Sequence, residues 1–282
     1  MAEPADVDAD ARGILWPAAR PWRMERIDPG SRLGAYVQHL WHVEWDLRGR
    51  EPFEQPVLAH VAVNIVLEPQ RAGVYGVPTT LRAQTLRGSG WALGVMFRPG
   101  GFRAFWSGPV SGLTDRFAPV DTLGGDAEQV LDRVRGADPE TRAELVVAWL
   151  ESLAPDQPPD ATLEAVATAE LAAADRTLVR ADQLAVRVGR DLRSLQRLFA
   201  EHVGLSPKQV LRRYRLLEAA ERAARDEHVS WDELALDLGF SDQSHLVRDF
   251  TAAFGTPPGR YAAECRARRH DPSGRWGVGA AG

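Results

Sequence analysis

A block of six residues, Leu184-Ala185-Val186-Arg187-Val188-Gly189, returns 50 residues later as Leu234-Ala235-Leu236-Asp237-Leu238-Gly239. Phe199, Gly204 and Pro207 then return as Phe250, Gly255 and Pro258 at an offset of 51, so the second copy holds one extra residue between Gly239 and Phe250. A period of this size marks one supersecondary unit used twice. Each copy reads as helix, glycine turn, helix, glycine, proline. In the first copy Leu184, Ala185 and Val188 share one face, and Gly189 suits the left-handed residue that ends a helix. Asp191 is placed to cap the next helix. Leu192, Leu195, Leu198 and Phe199 follow helical spacing and are expected to face inward. Arg193, Ser194, Gln196 and Arg197 are left on the other faces. In the second copy Ser230-Trp231-Asp232-Glu233 matches a capping box. Leu234, Ala235 and Leu238 are expected inward, Gly239-Phe240 makes the turn, and Ser241 is expected to cap the following helix. Leu246 and Phe250 then face the core, leaving Gln243, Ser244, His245 and Arg248 outward.

Two helices joined by a glycine turn, the second presenting Arg and Gln, form a helix-turn-helix. Those side chains can hydrogen-bond guanine and adenine edges in the major groove. One such unit is a weak signal; two in register are specific. Between them Ser206-Pro207 opens a helix running to about Arg225, because Ser caps well and Pro is tolerated in the first turn. Twenty residues of helix span about 30 Å, close to the ~34 Å turn of B-DNA. A single chain can therefore set two reading helices into successive major grooves. Charge agrees with this placement. Residues 1–175 carry 16 Lys/Arg and 25 Asp/Glu, whereas residues 176–269 carry 17 and 13. A basic third on an acidic chain suits a polyanion, although local fluctuation gives such an imbalance too.

At these residues the chain resembles the AraC/XylS family of transcription regulators, over about Thr177–Glu264. The motifs are Leu184–Gly189, Arg193–Phe199 and Gly204–Gln209, followed by Leu238-Gly239-Phe240-Ser241-Asp242-Gln243-Ser244-His245, Phe250, Phe254-Gly255, Pro258 and Tyr261. The resemblance places Arg193, Ser194, Gln196 and Arg197 on a first DNA-reading helix, and Gln243, Ser244, His245 and Arg248 on a second. Leu246 stands where the family often has Phe, and Arg190 and Leu192 stand where smaller or turn-like residues are usual. These departures bear on the operator sequence. The resemblance also implies a sensing or dimerising domain ahead of the DNA-binding region, and the segment Leu93–Arg103 is similar to part of such N-terminal domains.

The expected fold class is α+β. Residues 1–30, rich in Pro, Ala and Asp, read as an irregular lead-in. Residues 31–125 read as a β-rich regulatory domain, cupin-like or related. Short apolar runs at Tyr36–Trp45, Val57–Leu67, Val74–Val77, Leu81–Leu86 and Trp91–Phe97 are separated by Gly and Pro, as in a small barrel or sandwich. A helical turn is expected near Phe102–Trp106. Residues 126–175 read as a helical linker or dimerisation region, with helices over Ala127–Val134, Pro139–Leu153 and Leu163–Ala174. Residues 176–268 form the DNA-binding domain, and 269–282 a flexible tail.

Other chemistry is weakly signalled. His39, His42 and His60 invite a metal-site reading, but His39 and His42 are three apart on a strand and point to opposite faces. Trp16, Trp22, Trp41, Trp45 and Trp91 fill a core or line a pocket for an apolar or cationic ligand. Arg98 and Arg103 flank a Gly-Gly turn and are candidates for an anionic ligand, although exposed arginines are usually just solvated. Cys265 stands alone, which excludes an intramolecular disulfide and any multi-cysteine metal site. It also removes the N-terminal cysteine cluster of the DNA-repair methyltransferases that share this type of DNA-binding region. No nucleotide-binding or hydrolase motif is present. No catalytic residue, metal ligand or cofactor is assigned. A metal-dependent enzyme or ligand-binding protein hosted in the β-rich domain is the alternative. The expected partners are double-stranded DNA, RNA polymerase, a small-molecule effector and a second copy of the chain. No apolar run is long enough for a transmembrane helix, and the acidic start (Glu3, Asp6, Asp8, Asp10) is unlike a secretory signal. A cytoplasmic location is expected.

Overall fold

A computed structural model describes residues 21–57, 60–80, 82–226 and 228–270. The acidic start, Trp16 and the tail from 271 onward lie outside these residues. Among the described residues eight strands come first: β1 (Trp22–Ile27), β2 (Val37–Asp46), β3 (Phe53–Val57), β4 (Asn64–Leu67), β5 (Ala72–Tyr75), β6 (Arg82–Leu86), β7 (Ser89–Phe97) and β8 (Phe117–Pro119). A short helical turn, α1 (Gly30–Leu33), separates β1 from β2. Helices follow: α2 (Ala127–Gly136), α3 (Pro139–Leu153), α4 (Asp160–Ala174), α5 (Ala181–Arg187), α6 (Leu192–His202), α7 (Pro207–Arg225), α8 (Trp231–Asp237), α9 (Gln243–Phe254) and α10 (Pro258–His270). The class is α+β.

Six strands form an antiparallel sheet in the order β1-β2-β7-β4-β5-β8, and β3 pairs with β6 as a separate ribbon. The long pair β2–β7 is its spine. Alternate residues Leu40, Leu93, Val95 and Phe97 are buried, as period-two patterning requires. Trp41 and Trp45 instead lie across the opposite face of β7, over Gly94 and Gly90. A Cβ on Gly94 would sit 2.0 Å from Trp41 Cε2, so only glycine fits beneath that indole. Trp22, Leu47 and Leu86 close a small cluster with Trp45 and Phe53 between sheet and ribbon.

Two expectations are corrected. The lead-in contains β1, whose residues pair with β2 from Trp22–Trp45 to Ile27–Leu40. The run Val57–Leu67 is not one strand: β3 ends at Val57 and β4 begins at Asn64. Val61 and Val63 are apolar because they are buried, not because they extend a ladder.

The main core does not stop at the sheet. It continues from Leu33, Leu40 and Phe97 through Val146 and Leu150 of α3 to Leu195 and Phe199 of α6 and Val203 just after it. A second core, around Leu234, Leu246, Phe250 and Phe254, belongs to α8–α10 and the C-terminal half of α7.

Candidate nucleic-acid interface

Both helix-turn-helix units are built by the same local devices. Helix α5 ends with Gly189 at φ +69°, and α8 ends with Gly239 at φ +71°. In the first, Gly189 N–H donates to Val186 O and Arg190 N–H to Ala185 O. In the second, Gly239 N–H donates to Leu236 O and Phe240 N–H to Ala235 O. This is the paired-bond C-terminal motif that satisfies the last helical carbonyls. The second helices of the two units are capped alike. Asp191 accepts from Ser194 N–H at 2.9 Å, and Asp242 accepts from His245 N–H at 2.7 Å. Hydrogen bonds from Ser194 hold the Asp191 carboxyl below its ordinary pKa, and the backbone N–H of His245 does the same for Asp242.

These caps fix the equivalence of the two helices: Leu192 matches Gln243, Ser194 matches His245, Gln196 matches Val247, Arg197 matches Arg248 and Phe199 matches Phe250. They also correct two cap assignments. The extra residue of the second copy lies in its turn, so Asp242 and not Ser241 is the cap. Ser230 makes no side-chain cap bond to α8.

The eight residues singled out from the sequence divide by geometry. Arg193, Gln196, Arg197, Ser244 and Arg248 are exposed, and Gln243 is half-buried at the start of α9. The side chains of Arg193, Arg197 and Arg248 make no hydrogen bond or ion pair to any described residue, although the Arg248 charge acts on the Asp242 carboxylate, whereas most arginines around them are engaged. Arg190 pairs with Glu164, Arg212 with Asp249, and Arg222 with Glu218 and Asp237. The other two residues serve their own helix ends. Ser194 Oγ bonds the Asp191 carboxylate at 2.6 Å. His245 has Nδ1 3.1 Å from Ser241 Oγ and Nε2 3.3 Å from Asp249 Oδ2, with its ring edge-on to Phe240. Leu192 departs from expectation: it is 40% exposed and packs against neither core.

The helix between the units is α7, 19 residues opened by a capping box in which Ser206 and Gln209 bond reciprocally. It grips the second unit along its length. Arg212 Nε meets Asp249 Oδ2 of α9 at 2.5 Å. Arg215 donates to Gly239 O at 2.9 Å and lies 4.7 Å from the Phe240 ring centre. Arg222 reaches Asp237 of α8 at 3.3 Å. The first unit shares its core with Val210 and Leu211 of α7, and it and its neighbouring helices are also tied to the β-rich part. Arg103 Nε pairs with Glu201 of α6 at 2.8 Å, and Thr114 Oγ donates to Gly204 O at 2.6 Å. Arg213 of α7, only 8% exposed, donates to Thr79 O at 2.9 Å. Arg98 bonds Gly34 O at 2.8 Å and pairs with Glu170 of α4. Arg98 and Arg103 are thus committed to internal ties, which corrects their reading as anion-binding candidates. The distant partners Glu170 and Glu201 gave no local signal.

The histidines of the β-rich part stay apart. His42 is buried, 3.3 Å from the Arg142 guanidinium, which lies over Trp91. His39 faces the other side of β2. Among the described residues no group of three or more His, Cys, Asp or Glu is placed to hold a metal. An open groove of about 800 Å³ is lined by Trp22, Trp45 and Trp91 together with Glu44 and Asp46. Cys265 packs at the edge of the second core.

A helix-turn-helix domain model matches residues 184–264, and a domain of unknown function (DUF6597) matches residues 25–119. The probable transcription factor PqrA of Proteus vulgaris is 32% identical over 83 residues, which cover 29% of this chain and 67% of that protein. The chain belongs to the AraC/XylS family of transcription regulators. Another AraC/XylS relative, the transcriptional activator RhaS of Pectobacterium carotovorum, is 39% identical over 75 residues. That match takes in 27% of this chain and 26% of RhaS. The DNA-binding domain of AdpA, solved in complex with a target DNA, is 32% identical and covers 38% of this chain and 97% of that domain, with a TM-score of 0.33. The matched region of this AraC/XylS protein runs from α5 into α10 and so contains both caps, both glycine turns and the three exposed arginines. No helix among the described residues is long and apolar enough to cross a membrane.

Proposed function

We propose that this protein is a sequence-specific transcription regulator that inserts α6 and α9 into successive major grooves of duplex DNA. The observation that carries the reading is the set of exposed guanidiniums at Arg193, Arg197 and Arg248, none of them held by a hydrogen bond or ion pair to a described residue, on two equivalently capped helices. Arg is the commonest reader of guanine, through the O6 and N7 atoms, and a guanidinium not held in this way is available to do so. Helix α7, 19 residues long, spans about 28 Å at 1.5 Å per residue, which suits grooves one DNA turn apart. Gln196, Gln243 and Ser244 complete the reading face. Ser194 and His245 act on it indirectly, by fixing the helix starts. The β-rich part, tied to α6 and α7, is the place for control by a small-molecule effector or by pairing with a second copy. RNA polymerase is the further partner of such a regulator, and the cytoplasm its compartment. No catalytic role is assigned.

Footprinting of the purified chain on its own promoter tests this. The expected result is two protected major-groove patches about 10 base pairs apart on one face of the duplex, with affinity falling steeply as salt rises. Protection of a single patch refutes the two-helix reading. No protected site at any salt refutes the function.

A further inference from the structure

Position by position, the reading helices exchange two kinds of side chain. The first helical residue is Leu192 in α6 and Gln243 in α9. One turn later stand Gln196 and Val247. Each helix therefore offers one amide and one aliphatic group, one turn apart on the same face, but in opposite order. The next residue is an exposed arginine in both, Arg197 and Arg248. Neither aliphatic residue belongs to the protein's interior: Leu192 is exposed, Val247 is half-exposed, and neither packs against the hydrophobic clusters. The core contacts of the helices come from Leu195 and Phe199, and from Leu246 and Phe250.

The major groove presents one apolar group, the thymine C5-methyl, and pairs Gln with adenine N6 and N7. We infer that Leu192 and Val247 are specificity-determining residues that each contact a thymine methyl. The two half-sites then contain the same readable features, with thymine and adenine exchanged in order and a guanine held constant by Arg197 and Arg248. This inference rests on the groove insertion proposed above.

The test uses the full chain and a duplex enriched from a randomised library. Each thymine is replaced singly by deoxyuridine, which deletes only the methyl. Losing one buried carbon of this size is worth about a fourfold drop in affinity. One thymine in each half-site is expected to show that drop with the native protein. Leu192→Ala should abolish the response in the first half-site and leave it in the second, and Val247→Ala should do the reverse. Both side chains lie outside the cores, so thermal unfolding should be unchanged in either variant. The double exchange Leu192→Gln with Gln196→Leu should invert the thymine and adenine preference in the first half-site. Tight binding to the enriched duplex with no deoxyuridine effect overturns this inference and leaves the groove-insertion reading intact. So does an equal effect in native and Leu192→Ala proteins. Failure to enrich any duplex overturns both.

Discussion

Arg197 and Arg248 occupy equivalent positions, are exposed, and make no side-chain hydrogen bond or ion pair to any described residue. Truncating either to alanine removes at most the weak, solvent-screened attraction between Arg248 and Asp242, and the unfolding free energy should move by no more than about 0.5 kcal/mol. The effect on binding should be larger. A bidentate arginine–guanine contact is worth roughly 1–3 kcal/mol of discrimination, or about 5- to 150-fold. The assay is fluorescence anisotropy with four duplexes that differ at the contacted base, run at two salt concentrations. Arg197→Ala should flatten the preference at one or two positions of the first half-site and leave the second untouched. Arg248→Ala should do the opposite. Arg190→Ala is the control. Its side chain is spent on Glu164, so it should lower stability without altering base preference. If both variants instead weaken binding equally to every sequence, and the salt slope falls by about 1 in each, both guanidiniums touch phosphate and the assignment fails.

Four further outcomes follow from the geometry. Gly189→Ala meets nothing within 4 Å but must hold a left-handed φ, so it should cost roughly 1–2 kcal/mol in urea unfolding. Gly239→Ala should cost more, because its Cβ would also lie 2.6 Å from Val179 Cγ1; equal losses would refute the clash. Arg213→Ala strips the donor from Thr79 O and Pro78 O and should destabilise by about 1–3 kcal/mol, measured by the same unfolding. Burial above all holds His42 and His202 below the ordinary imidazole pKa of about 6.5. Stability should then be full above that value and fall as the pH drops below it, since the unfolded chain binds protons there that the folded chain refuses. A urea series from pH 8 to 5 should be flatter in His42→Gln, and an unchanged slope would refute it. Amide exchange should release α8–α10 before α5 and α6, because only the latter share the main core; matching rates would count against two separate cores.

The DNA-reading half was legible because its signals are local. A glycine five residues after a leucine, an aspartate two or three residues later and apolar spacing thereafter specify turn, cap and buried face without reference to anything distant. Where local reasoning erred, a short-range competitor was close by. Ser241 and Asp242 are both good caps, and one inserted residue decided between them. Leu192 satisfies helical periodicity with Leu195, yet it sits in the first turn, where the core has already curved away. The β-rich half was legible only as texture. The strand β1 was hidden because Trp22–Ile27 mixes Arg and Glu into its alternation, as an edge strand can. The run Val57–Leu67 looked like one strand because burial and extension leave the same apolar mark. Arg98 and Arg103 were unreadable for a different reason: their partners lie 72 and 98 residues away, and no spacing rule reaches that far.

The two units are alike in sequence and unlike in support, and that difference bears on how the protein can be controlled. The first unit is an extension of the β-rich core: Phe199 and Leu195 belong to the same cluster as Phe97 and Leu40, and Arg103 and Thr114 bind its edge. Its reading helix can shift only if that shared packing shifts, and cores resist continuous deformation. The second unit hangs from α7 through Arg212, Arg215 and Arg222, each placed on a different part of the unit: reading helix, turn and first helix. Helix α7 therefore sets both the spacing and the rotation of the second reading helix relative to the first. Adjacent residues divide that task, since Arg213 anchors α7 to the β-rich part while Arg212 anchors α9 to α7. Thr79 and Pro78 meet α7 at Arg213, Val210 and Leu211 of the same helix share the core with the sheet, and the residue preceding Arg213 joins α7 to Asp249. Under the proposed function, the angle between the two capped helices is then the quantity that a change in the N-terminal half would adjust, rather than the internal structure of either unit.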